Sequence, residues 1–143
     1  MVNKIISQGE RLMYATAEHE VKLDKETIIV SQTDKKGHII YANDDFCKIA
    51  GYSKDELIGK PHNINRHPNM PKAAFEDLWK TIKSGKIWQG IVKNLAKDGS
   101  YYWVNAKIYP STSPSGEIRY VSVRIKPTDK EIEDSEKLYK TLD

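Results

Sequence analysis

The sequence predicts an α+β domain, a five-stranded antiparallel sheet with short helices on one face and a flanking helix at each end of the chain. Two short β-branched runs lie near residue 30, and three longer strand patterns occupy residues 87–125. Between these two groups, the chain carries helix-capping patterns and one stripe of helical period. A length of 143 residues suits a single domain of this kind.

The first third of the chain predicts a helix, a hairpin and two short helices. Apolar residues recur at near-helical spacing from residue 5 to residue 23, which predicts an amphipathic leader helix within residues 1–24. Strands are predicted at residues 27–31 and 38–41, around a turn at 33–37. Asn43 can cap a helix that ends at Gly51, and Ser53 with Glu56 forms a capping-box pattern for the next one.

The rest of the chain predicts a loop, a longer helix, three strands and an exit helix. Residues 61–71 hold three prolines, which predict an irregular loop, and a helical stripe starts at Lys72 and stops before Gly85. Strands follow at residues 87–96, 101–109 and 118–125, the first two joined by Asp98-Gly99, a two-residue hairpin signal. The exit helix occupies residues 128–143. Its apolar seam predicts a dimer or relay surface and comprises Ile132, Ser135, Tyr139 and Leu142.

Composition excludes several classes of function. The 23 basic and 20 acidic residues are interspersed, so nucleic-acid binding is not indicated. The single cysteine, Cys47, allows neither an internal disulfide nor a cysteine-based zinc site, and fits a reducing compartment. No apolar run approaches membrane-spanning length, so we expect a cytoplasmic protein that does not itself enter a membrane. No nucleophile elbow or Gly-rich phosphate loop suggests an enzyme.

Two groups of motifs resemble a known family. Thr33-Asp34, Tyr41-Ala42-Asn43 and Gly51-Tyr52-Ser53, in this order of elements, are similar to the PAS family across residues 27–127, so we place the sensor domain at 25–127. More specifically, the sequences GKPHN at residues 59–63, RHP at 66–68 and MPKAAF at 70–75 resemble the sensor domains of aerotaxis receptors. That resemblance implies non-covalently bound FAD, a redox-sensing role and a chemoreceptor-type signalling domain, in cis or in trans.

The resemblance also implies a set of flavin-binding residues. Arg66, His67, Trp88 and the position of Asn69 match the family, although the family usually has Asp where this chain has Asn69. Period-two alternation places Asn94 on the same strand face as Trp88, where its amide could meet the ring edge. The remaining candidates are Asn63, Trp79 and Arg124.

Alternatives remain open on the residues alone. FMN could replace FAD, and a single histidine could hold haem iron, although His62 and His67 lack the spacing and acidic partner of a zinc site. A PAS module without a cofactor could serve only as a dimerisation surface. For the flavin sensor we expect a weak homodimer through the exit-helix seam, because two heptads alone form an unstable interface.

Overall fold

The computed structural model describes residues 19–142, and within them five strands form one antiparallel sheet. The spatial order is β2-β1-β5-β4-β3, which leaves β2 and β3 at the edges. This confirms the predicted α+β class. The strands are β1 Ile29–Asp34, β2 Ile39–Ala42, β3 Trp88–Leu95, β4 Tyr101–Thr112 and β5 Ile118–Ile125.

The helices between β2 and β3 cover the inner face of this sheet. They are α1 Asp44–Ala50, α2 Lys54–Leu57 and α3 Lys72–Lys83, with a 3₁₀ turn at His62–Asn65 inside the predicted irregular loop. The predicted caps are confirmed: Asn43 accepts from the Phe46 amide, and the Ser53 capping box is complete. The core between helices and sheet includes Phe46, Leu57, Leu78, Ile82, Ile29 and Val104.

The exit helix, α4 Asp129–Lys140, begins at the predicted Thr128 capping box and packs against the outer face of the sheet. The Tyr139 hydroxyl donates to the carbonyl oxygen of Ile91 on β3. Glu131 accepts from the Asn105 amide of β4 at 3.4 Å. The side chains of Ile132, Ser135 and Tyr139 are half-buried. The chain's own sheet therefore already covers part of the seam that the sequence assigned to a dimer.

The N-terminal helix prediction is wrong for the part that the structure describes. Residues 19–24 are not helical: Glu20 forms a parallel bridge with Tyr101, and Leu23 is buried in the core. The remainder of the predicted leader helix, residues 1–18, lies outside the described residues. No helix within residues 19–142 combines the length and apolar character that crossing a bilayer demands.

Three local features differ from prediction. β1 continues through Thr33 and Asp34, which the sequence assigned to a turn but which pair with β5. β4 continues through Pro110, which pairs with Tyr120 of β5. The pairing of β4 with β3 extends only to Ile108, so the other side of β4 is unpaired at Pro110, where the missing amide hydrogen costs no ladder hydrogen bond. The Asp98-Gly99 hairpin is longer than the predicted two-residue turn. The Gly99 amide donates to Ala96, Ala96 pairs with Ser100, and Gly99 adopts a φ of 90°.

Candidate cofactor cavity

A cavity of about 700 Å³ lies between α3, the 3₁₀ turn and the inner face of the sheet. This volume is typical of small-molecule sites, roughly 300–1,000 Å³. Inward-facing residues of β3 and β4 form one wall and the apolar side of α3 forms the other. These apolar walls comprise Val92, Val104, Ala106, Ile108, Phe75, Leu78, Trp79 and Ile82. The space between α3 and the sheet thus forms a slot suited to a flat ring.

The deep end of the cavity holds an unusual buried cation. Arg124 on β5 is 2% exposed and lies 4.6 Å from the Phe46 ring centroid. Its Nη2 donates to Ser31 Oγ at 2.6 Å, and its Nε has no hydrogen-bond partner within residues 19–142. Burial lowers the pKa of Arg124 to about 10, and no described carboxylate pairs with it. An uncompensated buried charge is costly, so this site favours an electron-rich ligand.

Next to Arg124, three polar side chains form a hydrogen-bonded row along the cavity wall. Ser31 Oγ lies 2.8 Å from His62 Nε2, and His62 Nδ1 lies 3.2 Å from Asn65 Oδ1. The imidazole stacks on Phe46 with 5.7 Å between ring centroids. Burial, and then the Arg124 charge, lower the pKa of His62 to about 4, so it is neutral at physiological pH. Asn65 Nδ2 is buried and has no partner among the described residues.

His67 occupies a separate buried position below the cavity. Its Nδ1 accepts from the Asn69 amide at 3.0 Å, and its ring makes an edge contact with Tyr101 at 5.9 Å between centroids. Burial, and secondarily the charge of Lys93, lower the pKa of His67 to about 4. The Asn69 side chain is exposed. Neither His67 nor Asn69 lines the cavity.

Trp88 also lies outside the cavity lining, although it faces inward from β3. Its indole folds along the strand onto Gly90, where an added Cβ would come within 2.5 Å of the ring. The indole Nε1 donates to Asp77 of α3 at 2.9 Å. The structure therefore gives Trp88 the role of tying α3 to β3 beside the cavity.

The mouth of the cavity carries four cations and one carboxylate, that of Glu76, so its net charge is positive. The guanidinium of Arg66 stacks on Phe75 at 4.1 Å from the ring centroid. The side chains of Lys36, Lys72 and Lys83 line the opening and are exposed. Trp79 lies nearby and packs edge-on against Tyr120 at 5.6 Å between centroids. This rim suits the phosphates of a nucleotide ligand.

Comparison with known proteins decides the family. Residues 39–125 match the family described as PAS fold. The chain belongs to the PAS-fold family. It is 46% identical over 129 residues to the aerotaxis receptor of Escherichia coli K12, covering 90% of this chain and 25% of that protein. It is 30% identical over 98 residues to a nitrogen fixation regulatory protein of Klebsiella pneumoniae, covering 68% of this chain and 20% of that protein.

A solved structure supports the same fold. A light-oxygen-voltage domain, studied with a flavin analogue, superposes on this PAS domain with a TM-score of 0.67 and 22% identity. The match covers 79% of this chain and 87% of that one. The PAS domain described here spans about a quarter of the length of the aerotaxis receptor that it matches and a fifth of the nitrogen fixation regulator.

The PAS domain brings together five of the eight residues predicted to bind the cofactor. Asn63, Arg66, Trp79, Asn94 and Arg124 line the cavity, whereas His67, Asn69 and Trp88 do not. Sequence reasoning missed Ser31 and Asn65 and considered His62 only as a metal ligand. A signal existed for Ser31, because residues 29, 31 and 33 alternate inward on β1 and two of them are polar. Polar residues on an inward strand face indicate a ligand site or a buried network.

Proposed function

We propose that this PAS domain binds FAD without a covalent bond and acts as a redox sensor for taxis, in the cytoplasm, rather than as an enzyme. The observation that carries the proposal is the uncompensated Arg124 guanidinium at the end of an apolar slot. A flavin places carbonyl oxygens at one edge of a flat ring, which suits such a slot. Similarity to an aerotaxis receptor supports the same conclusion.

Each part of the cavity has a role in this proposal. Arg124 and Asn65 would donate hydrogen bonds to the carbonyl edge, and Asn94 would offer both a donor and an acceptor. The apolar walls would exclude water from the ring faces. Arg66 and the lysines at the mouth would bind phosphates, which favours FAD or FMN over a flavin without phosphate. When bound, the flavin supplies reversible electron transfer, and this chain's residues hold and read it.

The positions of the histidines favour a flavin over haem. Both nitrogens of His62 already have hydrogen-bond partners on the cavity wall. His67 does not line the cavity, and its Nδ1 is engaged by the Asn69 amide. Iron ligation by His62 would cost that ring one of these partners, and His67 Nε2, which is buried without a partner within residues 19–142, would have to be turned toward the cavity to reach the iron.

The output of the sensor would pass through β3. This strand carries Asn94 on the cavity face, and the Ile91 carbonyl of the same strand binds Tyr139 of α4. A change at the ligand that moves β3 would therefore alter how α4 is held. The released helix would expose its apolar seam, either to a second copy in a weak homodimer or to a chemoreceptor-type signalling domain.

The absorbance of the purified protein tests this proposal first. Flavin bands support it, whereas a Soret band would indicate haem and a colourless protein would indicate no cofactor. Mass analysis of the released ligand then separates FAD from FMN. A haem or colourless protein would contradict the proposal.

A variant of Arg124 tests the carrying observation. Arg124→Met should weaken flavin binding about 10- to 100-fold, since a hydrogen bond to a charged group contributes about 1.5–3 kcal/mol. The same change should stabilise the apoprotein by about 1–4 kcal/mol, because it removes an unpaired buried charge. Arg119→Met is the matched control: Arg119 lies on the same strand, bonds to Gln32 and does not line the cavity. Equal flavin affinity in the two variants would remove Arg124 from the site.

A further inference from the structure

The row of polar residues beside the cavity has a defined direction. Asn65 Oδ1 can only accept, so it requires a proton on the His62 nitrogen that faces it, and the Ser31 hydroxyl, whose oxygen accepts from Arg124 Nη2, then directs its own proton at His62 Nε2. A ring nitrogen that accepts cannot also carry the proton of a neutral imidazole, which therefore resides on His62 Nδ1. That proton points at Asn65 Oδ1. Every hydrogen bond in the row thus runs from Arg124 toward Asn65.

The direction of the row fixes what Asn65 presents to a ligand. Because its oxygen is occupied by His62, the group left for a ligand is the Nδ2 amide, which is buried beside the Tyr102 hydroxyl and makes no well-formed hydrogen bond within residues 19–142. Asn65 is 4% exposed and lines the cavity. Arg124 Nε, also buried without a partner, is a second donor at the same end. Asn65 Nδ2 and Arg124 Nε can only donate, whereas the third such atom in the lining, the Thr33 hydroxyl, can donate or accept.

The geometry points to Asn65 as a specificity-determining residue that selects ligands with an acceptor-rich edge at the deep end of the cavity. His62 is the positioning residue that holds Asn65 in this orientation. This inference rests on the proposed function, since the flavin carbonyl edge is such an acceptor set. It goes further by assigning the selection to Ser31, His62 and Asn65, three residues outside the predicted site. A ligand that places a donor rather than an acceptor opposite Asn65 Nδ2 would leave that amide unsatisfied and would bind more weakly.

The tautomers of the two buried histidines test the row directly, without any ligand. In ¹⁵N NMR of the apoprotein at neutral pH, His62 should carry its proton on Nδ1. His67 should carry its proton on Nε2, because the Asn69 amide donates to its Nδ1. The two rings serve as opposite internal references. A His62 proton on Nε2 would reverse the row, turn the Asn65 oxygen toward the cavity and overturn the inference.

Binding by Asn65→Asp tests the selection itself. The carboxylate keeps the size of the side chain and still accepts from His62, while the donor is replaced by a second acceptor. FAD titrated into this apoprotein should bind at least tenfold more weakly than to wild type, with the His62 tautomer unchanged and the thermal midpoint of the apoprotein not lowered. Gln89→Glu, the same chemical change at an exposed position on the other sheet face, should bind FAD like wild type.

Tyr102→Phe separates Asn65 from its neighbour. The Tyr102 hydroxyl is also buried without a well-formed hydrogen bond, but Tyr102 does not line the cavity. FAD affinity should therefore survive this change. A loss in Tyr102→Phe that matches the loss in Asn65→Asp would assign the donor to the phenol, and wild-type affinity in Asn65→Asp would refute the selection by Asn65. Wild-type protein that binds no flavin would instead refute the proposed function, while the histidine tautomers would remain measurable.

Discussion

Replacing Tyr139 should release the exit helix from the sheet. Tyr139 is half-buried, so roughly 100 Å² of aromatic surface contacts the sheet, and at about 25 cal/mol/Å² this contributes about 2.5 kcal/mol. Its hydrogen bond to the Ile91 carbonyl adds about 1 kcal/mol. The helix has 12 residues, none fully buried, and a helix of this length is marginal in water without packing. Tyr139→Ala therefore removes most of what holds α4 in place.

Hydrogen exchange of the amides in residues 129–140 measures this release. Losing about 3.5 kcal/mol predicts exchange faster by about 300-fold in Tyr139→Ala. Tyr139→Phe loses only the hydrogen bond, and about fivefold is expected. Leu138→Ala is the control, because Leu138 is 56% exposed and should change exchange little. Exchange in Tyr139→Ala no faster than in Leu138→Ala would refute the docking argument.

Three other perturbations test the surroundings of the cavity. Gly90→Ala should push the Trp88 indole off β3 and cost about 1–3 kcal/mol of stability, seen as a shift in tryptophan emission and in urea midpoint. Burial lowers the pKa of His62 and His67 from 6.5 to about 4, so below pH 6.5 the unfolded chain binds more protons than the folded one. The free energy of unfolding therefore decreases as the pH is lowered. Between pH 7 and pH 4.5 each histidine should lower the free energy of unfolding by about 2.5 kcal/mol. In urea titrations, His67→Gln should remove the contribution of His67 to this pH dependence. Asn69→Asp should leave the flavin midpoint potential unchanged in spectroelectrochemical titration, since that side chain is exposed and outside the cavity lining; a clear downward shift would place it near the ring.

The fold could be predicted in most of its parts because its signals are local. Asn43, Ser53 and Thr128 each fix a helix start through their own side chains, and the structure contains all three caps. β5 was predicted at residues 118–125 and lies at Ile118–Ile125. The extent of β4 was not predictable in this way. A proline usually ends a strand, and only the sheet order shows that one side of β4 is unpaired at Pro110.

The site was less predictable because it depends on directions that spacing does not encode. Alternation placed Trp88 on the inner face, but the absence of a side chain at Gly90 and the carboxylate of Asp77 turn its indole along the strand. The sequence predicted the apolar seam of α4, but an apolar stripe alone does not indicate whether a partner chain or the sheet of the same chain covers it. Asn65 gave no signal, since its role arises from a contact with His62 within a 3₁₀ turn that the sequence predicted only as irregular loop.

Under the proposed function, the unpaired guanidinium of Arg124 would also link cofactor supply to the lifetime of the protein in the cell. An apoprotein that buries a lone charge unfolds more often, and proteases act on the opened chain. A ligand present at 100 times its dissociation constant adds about 2.7 kcal/mol to stability, which suppresses opening about 100-fold. Molecules that have not acquired their flavin would then be degraded first. Such turnover would remove sensors unable to report, so that the surviving population stays matched to the flavin available.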